Sequence, residues 1–222
     1  MGLDWRPLPK PIPGFEARFH QIFRILGGEE KQPRSIWDKL KGKEVLTNDQ
    51  LLEEWSANCV PSYESIRAPR VGRDPEADQW LEEQYAQSDR SKPWEEVRQD
   101  YQGYYVIELA KELDGVPMYI AMGQDKNVFR GQFLASCTDI IGKDLVNRAW
   151  ETKLAADAVH YGTQLMNSAD KLAKDHQLTY LKEQRKPPED LDSMEGKIHI
   201  LYAAAKWLLF YGKNGHGYEA DF

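Results

Sequence analysis

The stretch Ser193–Gly212, SMEGKIHILYAAAKWLLFYG, decides how this chain is read. From Ile198 onward it is apolar nearly all round, with Lys206 its one charge. A surface helix shows a single apolar stripe, whereas a helix that is apolar on every side needs neighbours on every side. This helix therefore belongs in the middle of a fold. Asp192 is placed to cap its N-terminus and Gly212 to end it.

The chain just upstream supplies a neighbour. Trp150, Leu154, Ala158, Tyr161, Leu165, Ala169 and Leu172 recur at intervals of three and four, an apolar stripe over about six turns. KEQRKPPEDLD, residues 182–192, is a charged, proline-bearing connector between the two helices. From Val128 the pattern is helical almost to the end.

The N-terminal half is more broken. Phe15, Phe19, Ile22, Phe23 and Leu26 fall at helical spacing before a stop at Gly27. A short helix is expected at SIWDKLKG, residues 35–42. Thr47 and Gln50 form a capping box for a helix carrying Leu51, Leu52 and Trp55. The segment from Val60 to Asp74 reads as a loop. Asp74 and Pro75 then open a helix with Trp80, Leu81 and Tyr85 on its buried edge. A second helix after Pro93 carries Trp94, Val97 and Tyr101, weakened at Gly103 by about 1 kcal/mol relative to Ala. Its continuation YYVIEL, residues 104–109, reads as helix or strand. VPMYIA, residues 116–121, is the best strand candidate, pairing with residues 123–128 or with YYVIEL. Prolines at 7, 9, 11 and 13 hold residues 1–14 extended, and their spacing of two differs from the three of a polyproline ligand.

Together these readings predict a mainly α fold, a bundle of about eight helices covering roughly 60% of the chain, well above the usual third. A two-stranded element is expected near residues 104–128, with α+β as the alternative class. The expected organisation is an extended proline-rich arm, residues 1–14, laid over a single mainly helical domain, residues 15–222.

Composition narrows the function classes. Apolar residues at 41%, with seven Trp and eleven Tyr in 222 residues, mark a folded globular protein. No apolar run is long enough to span a membrane, and the first residues lack the basic start and apolar core of a signal peptide. Arg6 stands where a myristoylation motif needs Ser or Thr. The expected location is cytoplasmic. Cys59 and Cys137 lie in no CxxC or Cys/His pattern and read as reduced thiols. Without HExxH, paired histidines, an Asp-rich loop, GxxxxGK[ST] or a strand-borne GxGxxG, neither a metal nor a cofactor is expected.

The charge of −7 is unevenly spread: residues 1–47 carry nine basic and six acidic side chains, residues 48–114 seven and sixteen, and residues 115–222 thirteen and fourteen. A net negative chain without a basic stripe argues against nucleic acid, whose phosphates demand cations. The acidic middle suits a basic protein partner, with Asp78, Glu82, Glu83, Glu95 and Glu96 as candidate contacts; as a bare solvated face it would serve solubility alone.

Three groups of residues invite a chemical reading. FRGQFLASCTDIIGK, residues 129–143, gathers Cys, Ser, Asp and Arg; as a helix it places Cys137 with Phe129, Phe133 and Ile140 and points Asp139 elsewhere, so the thiol is a core residue, not a nucleophile. His160 reads as a solvated helix residue beside Asp157 and Gln164, and His199 as a core histidine making one hydrogen bond. Arg67, Arg70 and Arg73 recur every third residue in a proline-bearing loop; if it is extended with three residues per turn, their guanidiniums share one side and could grip a carboxylate or phosphate. The competing reading is that they neutralise the acidic helix that follows.

The function expected from these residues is a non-enzymatic protein-interaction protein, an adaptor or antitoxin-like inhibitor, using the acidic surface. The alternative is an enzyme or small-ligand binder with an aromatic pocket of Tyr104, Tyr105, Tyr119 and Trp150 and an anionic ligand held by the arginine loop.

Overall fold

The computed structural model describes residues 2–32, 45–65, 69–106, 109, 118–121 and 126–222. They form a mainly α protein with a minor β element. The chain divides into two compact units, Met1–Leu8 with Ser62–Phe222, and Pro9–Pro61. The boundary expected after residue 14 falls inside the second of these.

The chain opens with strand β1 (Asp4–Pro7). The smaller unit follows with β2 (Lys10–Pro11), α1 (Glu16–Leu26), α2 (Asn48–Ala57) and β3 (Cys59–Val60). The larger unit resumes with α3 (Ser62–Ser65), α4 (Pro75–Gln87), α5 (Trp94–Asp100), β4 (Met118–Ala121) and β5 (Lys126–Phe129). After a 3-10 segment at Gly131–Cys137 come α6 (Thr138–Ile141), α7 (Lys143–Asn147), α8 (Ala155–Asp175), α9 (Met194–Lys213) and β6 (Tyr218–Asp221).

In the larger unit α9 is the central element. Ile198, His199, Leu201, Tyr202, Ala203, Ala204, Trp207 and Leu208 are all buried, which covers every side of the helix. Helix α8 lies against it through Ala158, Tyr161, Leu165 and Ala169, the predicted stripe; Trp150 and Leu154 precede the helix and do not belong to it. The two helices approach closely at Gly162, where an added Cβ would lie 2.9 Å from Leu208 Cβ and 3.2 Å from the Ala205 carbonyl. The cap of α9 is Ser193, whose hydroxyl accepts from the Gly196 N–H at 3.0 Å. Asp192 is instead engaged one step earlier, its own N–H held by Asp190. Nor does Gly212 end the helix, which runs on to Lys213; Gly212 is a second site of close approach, 2.6 Å from Val159 Cγ2 to a notional Cβ.

The sheet has the antiparallel order β4-β5-β1-β6. The β4–β5 hairpin is the expected two-stranded element, in register from Met118 opposite Phe129 to Ala121 opposite Lys126. The other two strands come from the chain's ends. The proline-rich opening is extended, yet Asp4–Pro7 is an inner strand and not an arm over the surface, because Trp5 is apolar enough to be drawn wholly inside. Its indole stacks on Phe129 at 5.1 Å and packs on Tyr218 at 4.8 Å and Trp207 at 6.0 Å. Its N–H donates to the Ala149 carbonyl at 2.8 Å, which removes the penalty of burying an unpaired donor.

Two helical expectations are corrected. Phe129 belongs to β5, and the residues after Arg130 form a 3-10 helix before α6 begins. Side chains at i and i+3 eclipse in that geometry, so Gly131, Leu134 and Cys137 share the buried side at a spacing of three. The helix after Pro93 stops at Asp100, because Gly103 takes φ +81°, a left-handed turn that ends it. Tyr105 beyond it is extended and bridges to Arg70. The helix expected at residues 35–42 lies outside the described residues.

The smaller unit is held by α1 and α2. Phe19 stacks on Trp55 at 3.8 Å over buried Ile22 and Leu51. The capping box is present, with Gln50 N–H to Thr47 Oγ1 at 3.2 Å and Thr47 N–H to Gln50 Oε1 at 2.9 Å. Arg18 forks onto both Glu54 oxygens at 2.7 and 2.6 Å, and this holds the Glu54 carboxyl below the usual carboxylate range. Strands β2 and β3 close the unit, Lys10 opposite Val60.

Candidate functional site

The acidic helices α4 and α5 stand over a small core of Val71, Ala77, Leu81 and Val106, with Trp80, Trp94 and Val97 at its edge. Pro75 opens α4 as predicted, but the Asp74 carboxylate caps no helical N–H. It accepts from the Arg70 N–H at 2.8 Å and from Arg73 Nε at 3.0 Å, tying the arginine loop onto itself.

Arg70 and Arg73 do not share one cationic side. Arg70 is 7% exposed and its Nη1 donates to the Gly103 carbonyl at 2.9 Å, joining the loop to the turn after α5. Arg73 is exposed and pairs with Asp74 and, at 3.7 Å, with Glu64. The two point to different environments because a buried guanidinium must find carbonyl acceptors while an exposed one takes the nearest carboxylates. Arg67 lies outside the described residues.

Nor do Tyr104, Tyr105 and Trp150, the three of the four aromatics whose side chains are described, share one environment. Tyr105 is buried, Tyr104 is 37% exposed, and Trp150 packs against the main core around α9. Tyr119 lies on β4, and its side chain is outside the described set. Tyr104 has a different set of companions: its ring stacks on Trp80 at 6.0 Å and meets Tyr101 edge-on at 5.2 Å. Tyr101 is 38% exposed, so the three rings make an aromatic ledge open to solvent.

The same two helices carry exposed carboxylates. Glu82, Glu83, Glu95 and Glu96 are exposed on α4 and α5, and α5 buries none of its residues. Asp78 accepts from the Gly72 N–H at 2.6 Å and Glu83 from Gln79 at 2.9 Å. Lys92 answers Glu96 at 3.1 Å and Asp100 at 2.8 Å, which raises its own pKa and offsets only part of the local charge. Between the helices a groove of about 210 Å³ is floored by Leu81, Tyr85, Val97 and Tyr101, with Arg90 6.0 Å from the Tyr85 ring centre. A small-molecule site usually has roughly 300 Å³ or more. A second cavity of about 470 Å³ lies beside Leu3, Asp4, Arg130 and Gln132.

The remaining candidates fall as follows. Cys137 is fully buried, its Sγ facing the Lys197 carbonyl at 3.6 Å, and burial pushes its thiol up to about 12. Asp139 is exposed and paired with Lys197 at 2.8 Å, which holds its carboxyl below the usual range. His160 is exposed and His199 buried, the latter with Nε2 3.1 Å from the Gln184 carbonyl. Among the described residues no group of three or more His, Cys, Asp or Glu side chains could hold a metal ion, and no helix is long and apolar enough to cross a membrane.

Two features had no legible signal. The ledge joins residues 80, 101 and 104 through a turn that only Gly103 hints at. The contact of Ser65 Oγ with His216 Nε2 joins residues 151 apart in the chain. No family model matches the chain, and neither a curated protein nor a solved structure matches it.

Proposed function

We propose that the protein is a cytoplasmic binding protein that engages a basic protein partner through the α4–α5 surface. The observation that carries this reading is the solvent-open ledge of Trp80, Tyr101 and Tyr104 in a region whose helices α4 and α5 also expose Glu82, Glu83, Glu95 and Glu96. Aromatic rings are the anchors of protein interfaces, and a surface that exposes both rings and carboxylates suits a partner rich in Arg and Lys: ring faces take cations and carboxylates take N–H groups. A solvated face that served only to repel other molecules would gain nothing from stacked, half-exposed aromatics. Arg70 and Arg73, which face different surroundings, do not add to the small-anion alternative.

The test is affinity capture from cell extract with the wild-type chain, followed by titration of the captured protein against E82K/E83K and Tyr104→Ala. A partner whose binding weakens at least tenfold in each variant, and weakens further as salt rises toward 1 M, supports the reading. Capture that ignores both variants, or no specific capture at all, overturns it.

A further inference from the structure

Three segments far apart in sequence meet at one imidazole in the larger unit. His216 lies in the turn between α9 and β6 and is fully buried. Its Nδ1 is 2.8 Å from the Leu8 carbonyl and its Nε2 is in hydrogen-bond contact with Ser65 Oγ, at the C-terminal end of α3. The ring is held from several directions. His216 N–H donates to the Tyr211 carbonyl at 2.9 Å, Leu8 N–H to the Gly217 carbonyl at 3.0 Å, and the Tyr211 ring meets the imidazole edge-on at 6.5 Å.

These contacts determine which way the protons run. A backbone carbonyl can only accept, so Nδ1 carries the hydrogen that it receives, and the neutral ring turns its lone pair at Nε2 toward Ser65. The serine hydroxyl has one proton and two acceptors within reach, His216 Nε2 and the Ser62 carbonyl at 3.2 Å. A hydroxyl donating to an imidazole whose far nitrogen is fixed by a third group is the arrangement that activates serine nucleophiles; here the third group is a main-chain carbonyl in place of a carboxylate. Exposure is divided in the useful way, with the base enclosed and Ser65 half-buried.

We propose that Ser65 is a nucleophile and His216 its general base, acting on small esters or related acyl electrophiles. Ser65 Oγ attacks the carbonyl carbon while its proton passes to His216 Nε2. The bond from carbon to the leaving oxygen then breaks, and that oxygen takes the proton from Nε2. Water repeats the sequence on the acyl-serine and restores Ser65. This activity is independent of the partner surface on α4 and α5.

The experiment treats the intact chain with an alkyl fluorophosphonate, in which Ser65 Oγ would displace fluoride from phosphorus, and locates the adduct by peptide mass spectrometry. General-base assistance is worth about a hundredfold or more, so Ser65 should react at least that much faster than Ser88 and Ser91 on the exposed turn after α4. Ser65→Ala should leave that peptide unmodified. In His216→Gln, checked for folding by circular dichroism, the advantage over Ser88 and Ser91 should vanish. If that variant does not fold, the wild-type ratio decides alone. Ser65 reacting no faster than Ser88 and Ser91, or equally fast in folded His216→Gln, would make the contact purely structural and overturn the proposal.

Discussion

Cys137 lies in the same buried cluster as Phe129 and Leu134, where burial outweighs the relief that the Lys197 cation gives to its ionised form. Cys59 is less enclosed, yet its thiol is also raised, to about 11, by burial alone. Because thiol reagents attack the thiolate, the sign follows directly: raising pH toward 11 should accelerate iodoacetamide modification of Cys59, about tenfold per pH unit. Cys137 should stay unmodified until the chain is unfolded in denaturant. Peptide mass spectrometry of both cysteines at pH 7, 8 and 9 reads this, and early modification of Cys137 would show that the segment 131–137 opens in the folded state. The burial of Cys137 was legible from its apolar neighbours, although the route differed. The expected α spacing of four gives way to a 3-10 spacing of three, because β5 must end and turn within a few residues. His216 and Ser65 gave no such sign, since a lone serine or histidine has no period to read.

At the scale of elements, periodicity carried most of the information. Helices α8 and α9 were readable because each covers five or more turns with one consistent apolar pattern. What that pattern omits is the distance between their axes, which Gly162 sets. Gly162→Ala brings about 1 kcal/mol of helix propensity but inserts a methyl 2.9 Å from Leu208 Cβ, where overpacking costs about 1–3 kcal/mol. The clash should win, since the Ala205 carbonyl at 3.2 Å belongs to the helix backbone and cannot swing aside. The expected outcome is a lower midpoint in thermal unfolding by several degrees, with far-UV helicity retained; a higher midpoint would mean that α8 and α9 separate easily. The α5 region shows the opposite balance. Local pattern favoured a helix through Tyr104, and one left-handed glycine overruled it, creating the exposed aromatic ledge as a result.

For the whole molecule, the decisive contacts are those that close the larger unit from end to end. Residues 4–7 pair with residues 218–221, and Trp5 touches Phe129, Tyr161, Trp207 and Tyr218. Deleting residues 2–8 should therefore remove an inner strand and the hub of the aromatic core together. Losing a buried Trp alone costs about 3–5 kcal/mol, a large fraction of the roughly 5–15 kcal/mol that holds a typical protein folded. Near-UV circular dichroism should lose its tryptophan signal while far-UV helicity falls less. A deletion variant with an intact near-UV spectrum would refute the hub role.

The sequence by itself determined the fold class, the central place of α9, the stripe of α8, the capping box at Thr47 and the hairpin near residue 120. Each is a local pattern, in which period, cap or turn chemistry acts within a few residues. Only the tertiary structure decided that the proline-rich opening is an inner strand, that Arg70 and Arg73 part company, that Tyr104 and Tyr105 differ in exposure while Trp150 joins the main core, and that Ser65 meets His216. These outcomes depend on which distant segments compete for the same burial and the same hydrogen-bond acceptors. No local spacing records that competition.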